Sequence, residues 1–339
     1  MEQMQLYAGL DMHQDTITAT IKDDVGNNVR VLKTSTSKEG VKKIFERLRK
    51  KNIHAVFEAS KNWPYYAELV APYCDKLVMA HPLKVRAIAS ARIKTDAIDS
   101  NTLSDLLRAN LIPESYMPSL DIVQLRELLR YRAGLSRMRG QFKTRAKNIL
   151  SREGKKGDFD EVTGKRARLW LNNLLLNELN RTELDYIVSI IDNLSGEIKK
   201  LDQRIEKEQY KYPEVDILKS IIGIKTYSAM LILAEIADIS RFETPNQLAS
   251  YAGIVPSTYQ SSQTQYNGRI TKRGSKWLRW ILTQCANASI KSRRSHKLKS
   301  FYLRIQRRKG HQKAIVATAR KMLVVIWHLL HKNEYYAHK

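Results

Sequence analysis

Residues 6–34 read LYAGLDMHQDTITATIKDDVGNNVRVLKT, and the class of fold turns on them. Positions 6–11, 16–22 and 29–34 are short runs rich in apolar and β-branched residues. The turn at 23–28 is built of Asp, Gly and Asn around Val25. Three strands in such quick succession form most simply an antiparallel meander. Working outward, positions 40–51 place Val41, Ile44, Phe45 and Leu48 on one helical face. Strands are expected at 54–58 and 77–80, with a helix around 65–73 between them. Pro82 opens a helical stretch that continues through 96–110. Strands with helices inserted between the later ones give residues 1–112 a mixed α/β sheet covered by helices.

Beyond residue 112 the pattern changes. Residues 124–153 carry nine Lys/Arg and two acids. Leu128, Leu135, Phe142 and Ile149 recur every seven residues, with Tyr131 and Met138 expected in the intermediate seam. A break at 154–158 and a helix near 168–179 lead to a second heptad: Leu184, Ile187, Ile191, Leu194, Ile198, Leu201 and Ile205. Its 3-4-3-4 spacing is that of a coiled-coil helix. The two long helices could pair within one chain or across a dimer. Residues 113–210 are therefore expected to be a basic helical coiled-coil region, and residues 211–339 a mostly helical domain.

The chain has 339 residues and a formal net charge of +25. Its length is ample for a sizeable core, and the charge calls for an anionic partner, with nucleic acid the leading class. Residues 244–333 hold eighteen Lys/Arg and no Asp or Glu, with Tyr251, Tyr259, Tyr266, Trp277, Trp280 and Tyr302 interleaved. A short charge run is usually a solvated face, but one this long with aromatics among the cations reads as a nucleic-acid surface. Two cysteines, Cys74 and Cys285, exclude a disulfide framework, and with no CxxC there is no zinc finger. The first residues lack the pattern of a signal peptide, and the apolar stretch at 314–330 is broken by Arg320 and Lys321. The expectation is a soluble, cytoplasmic protein with no membrane partner.

Four carboxylates stand out. Asp11 ends the first strand, Glu58 ends a later one, and Asp96 and Asp99 share a helical face at i, i+3. Singly, each has a plainer reading as a turn, a cap or a surface charge. As a set at strand ends they would repel one another unless cations joined them. Hard oxygen donors suit magnesium, and two ions about 3.5–4 Å apart can stabilise both oxygens of a phosphoryl transfer. The second cluster is Tyr259-Gln260-Ser261-Ser262, followed by Arg269, Lys272, Arg273, Lys276 and Arg279. With no histidine near it in sequence to act as base, it reads on its own as a polar loop with solvated serines. The third is a turn between two helices at Ile222-Gly223-Ile224-Lys225, either a phosphate-binding turn or an ordinary helix pair. His328 and His331 are i, i+3 in the last helix, where packing is the plainer role.

Taken in order, Gly9-Leu10-Asp11, Phe57-Glu58-Ala59-Ser60, Lys94-Thr95-Asp96-Ala97-Ile98-Asp99-Ser100, Ile221-Ile222-Gly223-Ile224, Phe242, the run from Leu248 to Pro256, and Ile270-Thr271-Lys272-Arg273-Gly274 with Leu278-Arg279 form a specific pattern. The chain resembles, over nearly its full length, the DEDD transposases of the bridge-RNA-guided insertion-sequence family (the IS-one-ten family). The resemblance implies a RuvC-like, RNase-H-type domain in which Asp11, Glu58, Asp96 and Asp99 hold two Mg²⁺ ions. It also implies a coiled-coil region and a C-terminal transposase domain with a nucleophilic serine. The family's Tyr-x-Ser-Gly maps onto Tyr259–Ser262 and makes Ser261 the nucleophile, with Ser262 as its rival because it stands where the family has glycine. Implied partners are donor and target DNA, a structured non-coding guide RNA, and further copies of the chain as a dimer or tetramer. Lys225, Arg269, Lys272, Arg273, Lys276 and Arg279, with Arg130, Arg137 and Lys143 of the basic middle helix, are expected at nucleic-acid backbones. Two other readings remain: a RuvC-like nuclease that uses water as nucleophile, and a nucleic-acid-binding protein without catalysis.

Overall fold

A computed structural model describes residues 5–48, 52–89, 95–157, 162–261, 264–293 and 296–337. The chain divides into two compact units, Met1–Leu120 and Asp121–Lys339.

The first unit contains β1 (Gln5–Met12), β2 (Thr16–Lys22), β3 (Asn28–Ser35), α1 (Lys38–Phe45), β4 (Asn52–Glu58), α2 (Trp63–Val70), β5 (Lys76–Ala80), α3 (Pro82–Ile88) and α4 (Asp96–Arg108). The five strands form one sheet in the order β3-β2-β1-β4-β5. β1, β2 and β3 are the antiparallel meander read from residues 6–34. β4 runs parallel to β1, and β5 parallel to β4. This is a mixed sheet of RNase-H type. The helical run expected after Pro82 comes as two helices, α3 and α4; Lys94 lies outside the described residues.

Strand alternation gives the sheet two different faces. Leu6, Ala8 and Leu10 of β1 point with Ile17, Ala19 and Ile21 of β2 into a core closed by Val41, Ile44 and Phe45 of α1. Tyr7, Gly9 and Asp11 point the other way, where α4 lies. Gly9 permits that approach: a Cβ there would sit 2.1 Å from the Ser100 carbonyl oxygen and 2.5 Å from the Ser104 nitrogen. Polar bonds then seat the helix. Ser104 Oγ donates to Tyr7 O at 2.9 Å, Thr20 and Ser100 share a hydroxyl bond of 2.9 Å, and Lys22 Nζ reaches Asp105 at 2.6 Å. Leu103, Leu106 and Leu107 of α4 complete the apolar packing against Val56 and Val78.

The second unit contains α5 (Leu120–Arg152), α6 (Lys165–Asn172), α7 (Glu178–Glu208), α8 (Glu214–Lys219), α9 (Thr226–Ile236), α10 (Pro245–Tyr251), a hairpin of β6 (Pro256–Ser261) and β7 (Thr264–Ile270), α11 (Lys276–Lys291) and α12 (His296–Lys332). α5 and α7 are paired antiparallel inside the chain. Arg132 binds Asp202 at 2.8 Å and Arg139 donates to Ser195 at 3.2 Å, so the register of one helix falls as the other rises. The α7 heptad is buried at Leu184, Ile187, Ile191, Ile198 and Ile205. On α5 the seam differs from expectation. Tyr131 and Met138 face solvent, while Leu125, Leu129, Ala133, Leu135, Ala146, Ile149 and Leu150 are buried. The helix has to cover α9 at its first turns and α7 farther along, so its buried face drifts from a strict seven-residue repeat.

α9 is apolar nearly all round and lies at the centre of the second unit. Length and composition alone would let α12 cross a membrane. Its Ala314, Ile315, Ala319, Met322, Leu323 and Ile326 are instead buried in the same core as α9, and the helix is interrupted at Gly310, which has a φ of 76°. His331 stacks on Trp327, whose Nε1 donates to the Phe242 carbonyl at 2.8 Å.

Candidate active site

The parallel pairing of β1 with β4 sets Leu10 beside Phe57, so the next residues, Asp11 and Glu58, leave the sheet side by side on the α4 face. Both stand at the C-terminal ends of their strands, where open α/β sheets bind ligands. Thr95 caps α4, its Oγ1 accepting from Ile98 N at 3.3 Å. Asp96 and Asp99 fill the first turn, where the helix dipole favours negative charge. The seating of α4 over Gly9 therefore brings its acidic turn to the strand end that carries Asp11.

The electrostatics report the crowding. Burial pushes the Asp11 carboxyl above its ordinary value, His13 opposes that, and the charges of Asp96 and Asp99 add to it. Asp96 is held below the usual range, chiefly by Lys33, whose Nζ donates to it at 2.8 Å. His13 Nε2 lies 3.2 Å from Asp11 Oδ2 and 3.7 Å from Asp96 Oδ1. Neither His13 nor Lys33 figures in the sequence reading. The signal for Lys33 was the meander itself: Thr18 pairs with Asp11 on one side and with Lys33 on the other, so all three share a face.

A divalent cation fits this group of residues. One donor atom each from Asp11, His13 and Asp96 lies within 4.8 Å of the others. Thr18, directly across from Asp11, is only 4% exposed, and its Oγ1 has no hydrogen-bond partner among the described residues. A buried orphan hydroxyl is costly, and a hydrated cation beside Asp11 would supply its missing bond.

The serine segment, expected as a polar loop, forms two paired strands, β6 and β7. Ser261 ends β6 and pairs with Thr264 of β7; Ser262 lies outside the described residues. The hairpin base is tied to the end of α10. Thr271 N donates to Val255 O at 2.9 Å, Lys272 N to Gly253 O at 3.1 Å and Ser275 N to Tyr251 O at 2.8 Å. Gly274 has a φ of 111°, and a Cβ there would meet the Tyr251 carbonyl at 2.1 Å, so only glycine passes this corner.

Beneath that base lies a buried charge the sequence reading missed. Glu235 of α9 is 1% exposed. Arg130 of α5 holds it with two bonds of 2.8 and 2.9 Å, and Ser275 Oγ, the cap of α11, donates to it at 2.8 Å. One carboxylate thus joins α5, α9 and the start of α11.

The cations expected at nucleic acid are placed unequally. Lys225, Arg137, Arg269, Lys272, Arg273 and Lys276 are exposed. Arg130 is engaged by Glu235, and Arg279 Nη1 donates to Ala252 O at 2.9 Å. Lys143 is half-buried on α5. Lys225 precedes α9, where its backbone N–H donates to Ser228 Oγ at 2.8 Å.

Comparison with known proteins covers both regions of the chain. Residues 8–153 match the DEDD transposase model of the IS110 type, and residues 215–303 match the model described as the transposase IS116/IS110/IS902 family. The chain is 23% identical over 252 residues to a putative transposase, y4qE, of Sinorhizobium fredii, covering 74% of this chain and 62% of that one. It is 30% identical over 173 residues to the transposase for insertion sequence element IS1111A of Coxiella burnetii, covering 50% of this chain and 44% of that one. It is also 25% identical over 288 residues to the pilin gene-inverting protein of Moraxella bovis, covering 83% and 81%. With the carboxylates on the first matched region and the serine hairpin on the second, the chain belongs to the IS110/IS116 family of insertion-sequence transposases.

Proposed function

We propose that the protein is a cytoplasmic DNA transposase that cuts and rejoins strands through a covalent phosphoserine intermediate, with two Mg²⁺ ions held by Asp11, Glu58, Asp96 and Asp99 and with a structured RNA as guide. The observation that carries this reading is the gathering of Asp11 and Asp96 at the strand end beside Glu58, where one donor atom from each lies within 4.8 Å of the other and Asp11 also feels the charge of Asp99. Bound there, the ions supply charge neutralisation for the phosphate and stabilise the developing oxygen charges.

The chain's own residues do the rest. The Ser261 hydroxyl gives up its proton and its oxygen bonds to phosphorus, while the bond from phosphorus to the leaving deoxyribose oxygen breaks. That oxygen takes a proton and becomes a free hydroxyl end. In the reverse sense, a hydroxyl end of another strand attacks the phosphoserine and releases the serine, so exchange needs no external energy source. Lys225, Arg137, Arg269, Lys272, Arg273 and Lys276 lie along nucleic-acid backbones. Base pairing with the RNA reads sequence while the protein reads shape, and several copies of the chain assemble on the DNA.

The test is to purify the protein expressed with its native flanking DNA and to sequence the RNA that co-purifies. A single flank-derived RNA with segments matching the element ends and target is expected. Cleavage of those DNAs should require Asp11 and be lost in Asp11→Asn. Random cellular RNA, or none, at low and moderate salt counts against guidance, and cleavage that survives Asp11→Asn counts against the carboxylate centre.

A further inference from the structure

The carboxylate end of the sheet also offers a nitrogen. His13 follows β1 directly, and its backbone is pinned from both sides: its N–H donates to Thr16 O at 2.9 Å, and its carbonyl accepts from Thr36 Oγ1 at 2.8 Å. This anchoring delivers Nε2 to within 3.7 Å of two different carboxylates, Asp11 and Asp96. The imidazole is 56% exposed, so it is not held there by packing. The orphan hydroxyl of Thr18 lies across from Asp11 on the same face.

We propose that His13 is an additional ligand of the metal centre, binding through Nε2, and that the resulting mixed nitrogen and oxygen donor set shifts the centre's preference from Mg²⁺ toward a transition-series divalent ion such as Mn²⁺. Magnesium takes oxygen donors and gives up its water reluctantly; Mn²⁺ also takes carboxylates but opens the transition series, whose later members imidazole suits best. Carboxylates alone discriminate weakly between the two, so a nitrogen at this position decides the selectivity. The proposal rests on the reading of the carboxylates as a metal centre.

The test uses the full chain stripped of metal with a chelator. Mn²⁺ and Mg²⁺ binding are measured by calorimetry, and electron spin-echo modulation of bound Mn²⁺ detects a coordinated imidazole nitrogen. The wild type should bind Mn²⁺ more tightly than Mg²⁺ and show the ¹⁴N modulation. His13→Ala should weaken Mn²⁺ binding by at least the roughly tenfold that loss of an outer-shell partner costs, leave Mg²⁺ binding nearly unchanged, and lose the modulation. His13→Gln, which keeps a donor for Asp11, should lose the modulation as well. Retention of the nitrogen signal in both variants, or an equal loss of both ions, overturns the role of His13 and leaves the carboxylate centre standing. A wild type that binds neither ion, or an Asp11→Asn variant that binds as well as wild type, overturns the centre itself.

Discussion

At Gly9 a single hydrogen atom decides where the acidic turn of α4 can sit. A methyl group there would fall 2.1 Å from the Ser100 carbonyl oxygen, on backbone that is also bound to β1 and β2 through Ser104 and Ser100. Gly9→Ala should therefore cost about 3 kcal/mol, the upper part of the overpacking range, read by urea unfolding. It should also lower DNA cleavage more than its stability loss explains, because Asp96 and Asp99 move with α4. Asp11 makes the opposite kind of prediction. Its carboxyl pKa is raised in the folded chain, by burial first and then by Asp96 and Asp99. The stability linked to its protonation is present below the unfolded value and is lost as pH rises through the folded one. In chelator at pH 7, Asp11→Asn should raise the Tm, and the gain should shrink as pH falls through the raised value. A destabilised Asp11→Asn at pH 7 would show that the site is not short of positive charge.

Between helices, the Glu235 junction is the interaction with most at stake. Removing one partner of a buried pair leaves an uncompensated charge, which costs about 3–5 kcal/mol. Arg130→Met should lose that much, because Glu235 is 1% exposed and, among the described residues, would keep only Ser275 as a side-chain donor. The double variant Arg130→Met, Glu235→Met should recover most of it, and equilibrium unfolding of both decides. Sequence gave no sign of this pair, since Arg130 and Glu235 are 105 positions apart and each looks like an ordinary helix charge. Elements were more legible than their contacts. The meander was visible in residues 6–34 because runs of apolar and β-branched residues and a turn of Asp, Gly and Asn are local signals. The α7 seam was visible because its apolar positions keep one strict repeat from Leu184 to Ile205, although α5, α6 and α9 share in covering it. The α5 seam was misjudged at Tyr131 and Met138 because α5 serves two partners, which periodicity does not reveal. The serine hairpin was hidden by its polarity.

Over the whole molecule, charge is the dominant fact. The net charge of +25 and the acid-free stretch at residues 244–333 predict binding to DNA or RNA that weakens steeply with salt. Each phosphate contact contributes about 0.9 to the slope of log K against log salt on duplex DNA. Lys272→Gln with Arg273→Gln should lower that slope by about 2 without altering preference among sequences, as fluorescence titration at several salt concentrations would show. Arg130→Gln should leave the slope unchanged, since that cation is used inside the protein. Two of the four carboxylates, Asp11 and Glu58, were legible because they end predicted strands, and Asp96 and Asp99 because they share a helical face at i, i+3. His13, Thr18 and Lys33 were not, because only pairing across three strands gathers them. The most direct measurement is a search for the covalent intermediate. Labelled element-end DNA is incubated with the RNA-loaded protein and Mg²⁺, the mixture is denatured and digested, and the peptides are sequenced by mass spectrometry. A nucleotide attached through phosphate to Ser261, absent in Ser261→Ala and retained in Ser262→Ala, is the expected result. Cut DNA with no protein attached, in an amount that Ser261→Ala does not change, would mean that water is the nucleophile and that the protein is a nuclease.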